Sequence, residues 1–382
     1  MMPKNKITTD IPYPRRVLIR KTMIALGKVL LSLFANVEIY GIERLPKKGP
    51  AILAGNHAAV LEAVMMAAYS PAIVEFLGTG DIPFDPHYAF FVNAYGLIPV
   101  NRGNLDRQAL NAAAGVLEQG GILGIFPEGG IWDAGQMQAQ LGAAWLSYRT
   151  QAPIIPIGFG GVMGGVQAAL TLKRPRLTMN VGELIPAVVA DPGLASLRDV
   201  LDRSAQEILA QIRDLVPQDD IQKSSQRFDE KFCLTVEVHP GAVDTQLDLP
   251  EHLQIEHGSA YARFLFNPTI LDIFIRNLRL PVHPVKDVTF RSDLEPLIAA
   301  WDSILNYLEV NPGFFTYRFG VEEGLAVKNA LNELRLLALW AQEKNYSLTL
   351  IPIRNYRNAK TGEEHTEKGG LFPNSMQNNK RK

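Results

Sequence analysis

The sequence predicts an α/β protein in two parts. Short apolar runs alternate with helical patterns from Val37 to about Leu215, a polar stretch interrupts the chain at 217–231, and apolar periodicity resumes over 232–355. A chain of 382 residues can bury two cores. Its 47% hydrophobic and 20% charged content suits globular packing and excludes wholesale disorder. The division expected is a basic, apolar helix over 1–36, a layered domain over 37–216, a linker over 217–231, a smaller α/β or α+β unit over 232–355, and a disordered tail over 356–382.

The first element is a helix with an uneven charge. Up to Asn36 the cations are Lys4, Lys6, Arg15, Arg16, Arg20, Lys21 and Lys28, against the single anion Asp10. From Thr22 to Val37 nearly everything is apolar, but Lys28 interrupts the run, which falls short of the roughly 20 apolar residues a spanning helix needs. No small-residue cleavage site follows it, so a secretory signal is a poor reading. A basic start leading into an apolar helix suits an interfacial anchor on anionic lipid. The lone Cys233 cannot pair within the chain and fits a reducing compartment. Together these features predict a cytoplasmic protein, peripheral on the inner face of the cell membrane.

In the layered domain, strands are predicted at Val37–Tyr40, Ala51–Ala54, Val74–Leu77, Leu97–Val100, Ile122–Phe126, Ile154–Phe159 and Leu177–Val181. Helices are predicted at Ala58–Tyr69, Pro86–Tyr95, Leu105–Gln119, Gln138–Thr150 and Leu194–Leu215. The second unit shows a helix opening at Asn267-Pro268, a capping box at Ser292 and Glu295, one long helix over Val321–Lys344 and a closing strand over Ser347–Ile353. Its sequence discloses no role.

Several function classes are excluded by composition or spacing. A net charge of −1 gives the whole molecule no footprint for nucleic acid. The seven histidines have no close ligand partners, so no metal is expected. No Gly-x-Ser-x-Gly marks a lipase or esterase. The glycines Gly158, Gly160, Gly161, Gly164 and Gly165 fail the dinucleotide fingerprint, whose last position falls on Met163, and no Walker-type Gly-Lys-Ser/Thr occurs.

One histidine is well placed for chemistry. Asn56-His57 lies between a predicted strand and an apolar helix, where the positive end of the helix dipole favours the neutral imidazole that a general base requires. Glu62 is the only ionisable residue in that helix. Positions five apart in a regular helix point about 140° away from each other, so contact requires His57 to lie outside the helix. A carboxylate on the far ring nitrogen would fix the tautomer and stabilise the imidazolium as it forms.

Four ordered segments extend this reading: NHAAVLE at Asn56–Glu62, GLIPVNR at Gly96–Arg102, FPEGG at Phe126–Gly130 and IIPIG at Ile154–Gly158. In order and spacing they resemble the glycerolipid acyltransferase superfamily, which contains glycerol-3-phosphate and lysophosphatidate acyltransferases. The likeness covers roughly Arg15 to Leu215. It implies a mixed sheet flanked by helices and an O-acyltransferase of glycerolipid synthesis that moves a fatty acyl group onto a lipid hydroxyl. By the same resemblance His57 is the general base and Glu62 orients it. Asn56, Arg102, Glu128, Gly129 and Gly130 form the substrate-binding set, with Arg102 suited to an anionic group. The implied partners are a lipid acceptor, a membrane surface, and acyl-CoA or an acyl carrier protein as donor. No cofactor is implied beyond that co-substrate.

The chain departs from the family pattern at three places. Glu62 stands where the family carries aspartate, Ile131 and Trp132 follow the glycines where Thr-Arg-Ser is usual, and Ala59 replaces a Ser or Thr. The first would shift a carboxylate by about an ångström, a displacement that can cost about a hundredfold in rate. The second removes an arginine and directs expectation away from a plain lysophosphatidate acceptor, toward a monoacylglycerol or a glycolipid. The departures also motivate a rival reading, a catalytically impaired lipid-binding protein on the same fold.

Overall fold

The computed structural model describes residues 11–57, 59–80, 86–100, 106–128, 139–190, 196–220, 230–240, 260–266, 287–291, 293–310, 313–357 and 364–368. The chain forms two compact units, residues 1–80 with 89–225 and residues 81–88 with 226–382.

The first unit opens with α1 (Val17–Phe34), then β1 (Asn36–Tyr40), β2 (Ala51–Gly55), α2 (Leu61–Tyr69), β3 (Val74–Thr79), α3 (Pro86–Tyr95) and β4 (Ile98–Val100). It continues through α4 (Arg107–Glu118), β5 (Ile122–Ile125), α5 (Gly142–Thr150), β6 (Ile154–Gly160), α6 (Gly165–Leu170), β7 (Arg176–Val181) and α7 (Leu197–Leu215). The sheet order is β1-β7-β6-β2-β5-β3-β4. All its pairings are parallel except β6 with β7, so the sheet is mixed, as the resemblance implies.

Burial on both faces explains the unbroken apolar strands. Neighbouring residues of β2 point into opposite cores. Ile52 joins Ala109, Ala113, Val116, Leu146 and Ile208 on the face covered by α4, α5 and α7. Leu53 joins Met65, Met66, Phe76, Ile157 and Met179 on the face covered by α2. α4 presents Ala109, Ala112, Ala113, Val116 and Leu117 at helical spacing, and Asp106 caps it by accepting from the Ala109 N–H at 3.0 Å. α7 buries Leu201, Ala205, Ile208, Leu209 and Ile212, and Ser196 caps it through the Asp199 N–H.

The basic start of α1 is used differently from the sequence expectation. Of its helical residues only Arg20 and Leu31 are buried. Arg20 and Arg15 both bond the carboxylate of Glu75, which is fully buried in β3. Both guanidinium groups also donate to the Gly96 carbonyl at 2.9–3.0 Å, and Arg20 reaches the Tyr95 carbonyl at 2.9 Å. Arg16 donates to the carbonyls of Asn93 and Ala94. Three cations read as lipid-facing therefore serve intramolecular contacts. Gly96 must be glycine here: its φ is +77°, and a side chain would strike the Arg16 guanidinium.

The second unit contains β8 (Glu230–His239), β9 (Ala260–Phe266), β10 (Val288–Phe290), α8 (Glu295–Val310), α9 (Gly313–Glu343), β11 (Ser347–Arg357) and β12 (Glu364–Lys368). Its strands run β10-β11-β8-β9 with β12 also on β11, and every pairing is antiparallel. Leu297, Trp301, Ile304 and Leu308 of α8 are buried, as are Leu331, Leu334, Leu337 and Ala341 of α9. Val236, Val238, Leu348 and Leu350 are buried in the sheet. Helices beside an antiparallel sheet make this an α+β arrangement.

Several boundaries differ from the sequence expectation. α2 starts at Leu61, not Ala58, because Glu62 reaches back to the Ala59 N–H at 2.7 Å and holds the preceding residues out of the helix. A short helix, α6, which the sequence reading did not include, opens at the end of the glycine-rich segment. The linker is structured at both described ends, with 218–220 helical and β8 beginning at Glu230. The tail is not wholly without structure: β11 runs to Arg357, and Glu364–Lys368 pairs with it. That segment is polar throughout and gives no apolar pattern to read, yet a backbone ladder does not need one. Asn267-Pro268 and Ser292 lie outside the described residues.

Candidate active site

The site sits at the C-terminal ends of three adjacent strands. β2 lies between β5 and β6 and runs parallel to both. In open α/β sheets this end is where ligands bind. Asn56 and His57 follow β2 directly, Phe126 and Glu128 follow β5, and Phe159 lies near the end of β6.

Asn56 joins two of these strand ends. It is buried, its Nδ2 donates to the Phe159 carbonyl at 3.2 Å, and its Oδ1 accepts from the Phe159 N–H at 2.7 Å. The side-chain amide thus continues the β2–β6 ladder by one rung beyond the last backbone pair. Gly55 makes room for this arrangement, since a Cβ there would lie 2.8 Å from the Phe159 ring. The sequence expectation placed Asn56 against substrate, but the structure commits its amide to the backbone.

His57 leaves the strand with its ring stacked on Phe126, the ring centres 4.2 Å apart and the planes inclined by 16°. Its side chain is 22% exposed, whereas Glu62 is fully buried. The Glu62 Oε2 lies 4.0 Å from the His57 Nδ1. That separation exceeds a direct hydrogen bond, although bonds of this kind are often long before substrate binds. The geometry arises because His57 lies outside α2, as contact between the pair requires. Glu62 turns two ways at once, accepting from the Ala59 N–H with Oε1 and presenting Oε2 to the imidazole.

Glu128 is fully buried beside this pair. Burial pushes its carboxyl well above the usual carboxylate range. The charge of Glu62 pushes the same way, while a hydrogen bond from the His57 backbone N–H and the more distant Arg213 pull it back. Two fully buried acidic side chains, Glu62 and Glu128, thus stand beside His57.

Of the residues singled out by sequence, the structure brings together Asn56, His57, Glu62 and Glu128. Arg102, Gly129 and Gly130 lie outside the described residues. Sequence reasoning missed Phe126, whose position at the head of the FPEGG segment was its only signal, and Phe159, which acts through backbone atoms. Among the described residues, no group of three or more His, Cys, Asp or Glu side chains is placed to hold a metal ion. No helix among them is long and apolar enough to cross a membrane.

Residues 36–160 match the family model described as Acyltransferase. A curated relative, the 1-acyl-sn-glycerol-3-phosphate acyltransferase of Bacillus subtilis (strain 168), is 24% identical over 200 residues, covering 47% of this chain and 92% of that protein. A solved structure, the 1-acyl-sn-glycerophosphate (LPA) acyltransferase PlsC from Thermotoga maritima, is similar over 52% of this chain and 79% of its own. Its identity is 20% and the TM-score 0.39.

Proposed function

We propose that the first unit transfers a fatty acyl group from an acyl-CoA or acyl carrier protein thioester to the hydroxyl of a glycerolipid or related lipid. The observation that carries this reading is the His57–Glu62 pair at the strand ends of the segment that matches the Acyltransferase family model. With Glu62 on the Nδ1 side, Nε2 is the atom that takes the proton. The acceptor hydroxyl loses its proton to Nε2 as its oxygen attacks the thioester carbonyl. The carbon–sulfur bond then breaks, and the imidazolium returns its proton to the departing thiolate. Glu62 holds the ring and offsets the charge it acquires. Arg102 engages an anionic group of the acceptor, and Gly129 and Gly130 let backbone approach the substrate. Asn56 positions the segment that carries His57 through the Phe159 backbone, and Glu128 helps to shape the acceptor pocket beside it.

The protein would act at a membrane surface on the cytoplasmic side. Support comes from α1, whose Leu18, Leu26, Val29 and Leu33 stand exposed. The 4.0 Å gap between His57 and Glu62 favours one rival, a lipid-binding protein without turnover.

Purified full-length chain and its H57A variant, each given acyl-CoA and acyl carrier protein donors with a panel of lysolipids and neutral glycerides, decide the matter. Transfer is expected, and H57A should lower it by about a hundredfold or more. Equal rates in the two proteins would remove His57 from the mechanism. Lipid binding with no transfer to any acceptor would favour the rival.

A further inference from the structure

The end of α6 contains a conformational choice that internal packing does not explain. The Lys173 N–H donates to the Ala168 carbonyl and the Leu172 N–H to the Ala169 carbonyl, both at 2.9 Å. These are the two bonds of a Schellman cap, whose left-handed position is ordinarily glycine. Here Leu172 fills it with φ +58°. Leu172 is nevertheless 72% exposed and the neighbouring Leu170 75%. A bulky side chain is thus held, largely exposed, where glycine costs least.

The segment lies beside the last turns of α1. β1 and β7 pair in parallel from Asn36 opposite Arg176, so the chains entering them arrive at the same end of the sheet. The Asn36 N–H donates to the Pro175 carbonyl at 2.9 Å, and Arg174 donates to the Ser32 carbonyl at 3.3 Å. Val29, Leu30 and Leu33 of α1 are exposed in that region. Neither 11–37 nor 161–176 contains an aspartate or glutamate, and Glu38, the first acid after the former, is paired with Arg176 at 2.7 Å. Lys173 and Arg174 flank the leucines, and all four residues of this group face solvent.

We propose that the Leu170–Arg174 turn is a second lipid-contacting element, which docks with the exposed side of α1 onto a bilayer of anionic headgroups. The proposal rests on the membrane-surface reading given above and adds the turn to it. Exposed leucines followed directly by two exposed cations match the boundary between acyl chains and negative headgroups. The leucines enter the apolar layer while Lys173 and Arg174 remain at headgroup level.

The test is sedimentation of the full-length chain with vesicles of phosphatidylcholine alone or mixed with phosphatidylglycerol, with no substrate added. L170S/L172G should weaken partitioning to mixed vesicles by about tenfold. K173Q/R174Q should weaken it by about tenfold on mixed vesicles and leave neutral vesicles unaffected. L172G alone should melt no lower than wild type, since glycine suits the left-handed cap, and should still bind vesicles less well. Wild-type partitioning in L170S/L172G would overturn the proposal. So would a charge-variant loss of equal size on neutral vesicles, or leucine variants that dissociate an oligomer without changing vesicle binding. Failure of the acyl-transfer reading is separable, because it appears as absent turnover on detergent-dispersed acceptors and leaves these partition coefficients untouched.

Discussion

Arg20 of α1 and Glu75 of β3 meet as an ion pair in which neither side chain has any solvent exposure. Arg15 adds a second guanidinium at 3.0 Å, and the Tyr95 ring lies 4.6 Å from Arg20. Two charges so placed are costly to bury, and the cost is offset only while every partner stays in position.

Breaking that cluster from one side should therefore be severe. E75A leaves Arg20 buried without its counter-charge and is expected to destabilise the fold by about 3–5 kcal/mol. The double variant R20M/E75M, which removes both charges and keeps apolar volume, should lose much less. Urea denaturation of the three proteins checks this, and equal losses in the single and double variants would refute it.

At the site, the extra methylene of Glu62 is tied down at both ends. Its Oε1 bonds the Ala59 N–H at 2.7 Å while Oε2 faces His57. Shortening it by E62D cannot satisfy both. We expect kcat to fall by about tenfold to a hundredfold with the acceptor KM little changed. A rise in kcat would mean that the 4.0 Å spacing limits wild-type catalysis.

Glu128 supplies a pH signature. Its carboxyl is held well above the ordinary value of 4.5, first by burial. Between that ordinary value and the raised one, the folded chain keeps a proton that the unfolded chain has released. Stability therefore declines as pH climbs through this window, by up to about 1.4 kcal/mol per pH unit. E128Q removes the titration, so its melting temperature relative to wild type should improve as pH rises above the ordinary carboxylate value. Parallel melting curves for the two proteins would refute the assignment.

Much of the first unit was legible because its strands are buried on both faces. Runs such as Ala51–Gly55 and Ile154–Gly160 stand out when no position needs a polar residue. Residues whose use depends on distant partners were harder to read. Arg20 looks like one more surface cation, and nothing local says that it will meet Glu75, 55 positions later. Asn56 shows the same limit, since its partner is a backbone 103 residues away. In the second unit, β8 alternates apolar and polar side chains over Leu234–His239, a pattern that could have been read as a strand. The mixed signal of Glu364–Lys368 could not, because its pairing with β11 is carried by main-chain atoms.

The rung that Asn56 adds between β2 and β6 has a thermal consequence. It fastens the segment bearing His57 to two central strands of the sheet, so that segment has little freedom to loosen ahead of its surroundings. Heat should then abolish turnover and melt the whole domain over the same few degrees, without an earlier stage in which a folded but inert protein accumulates.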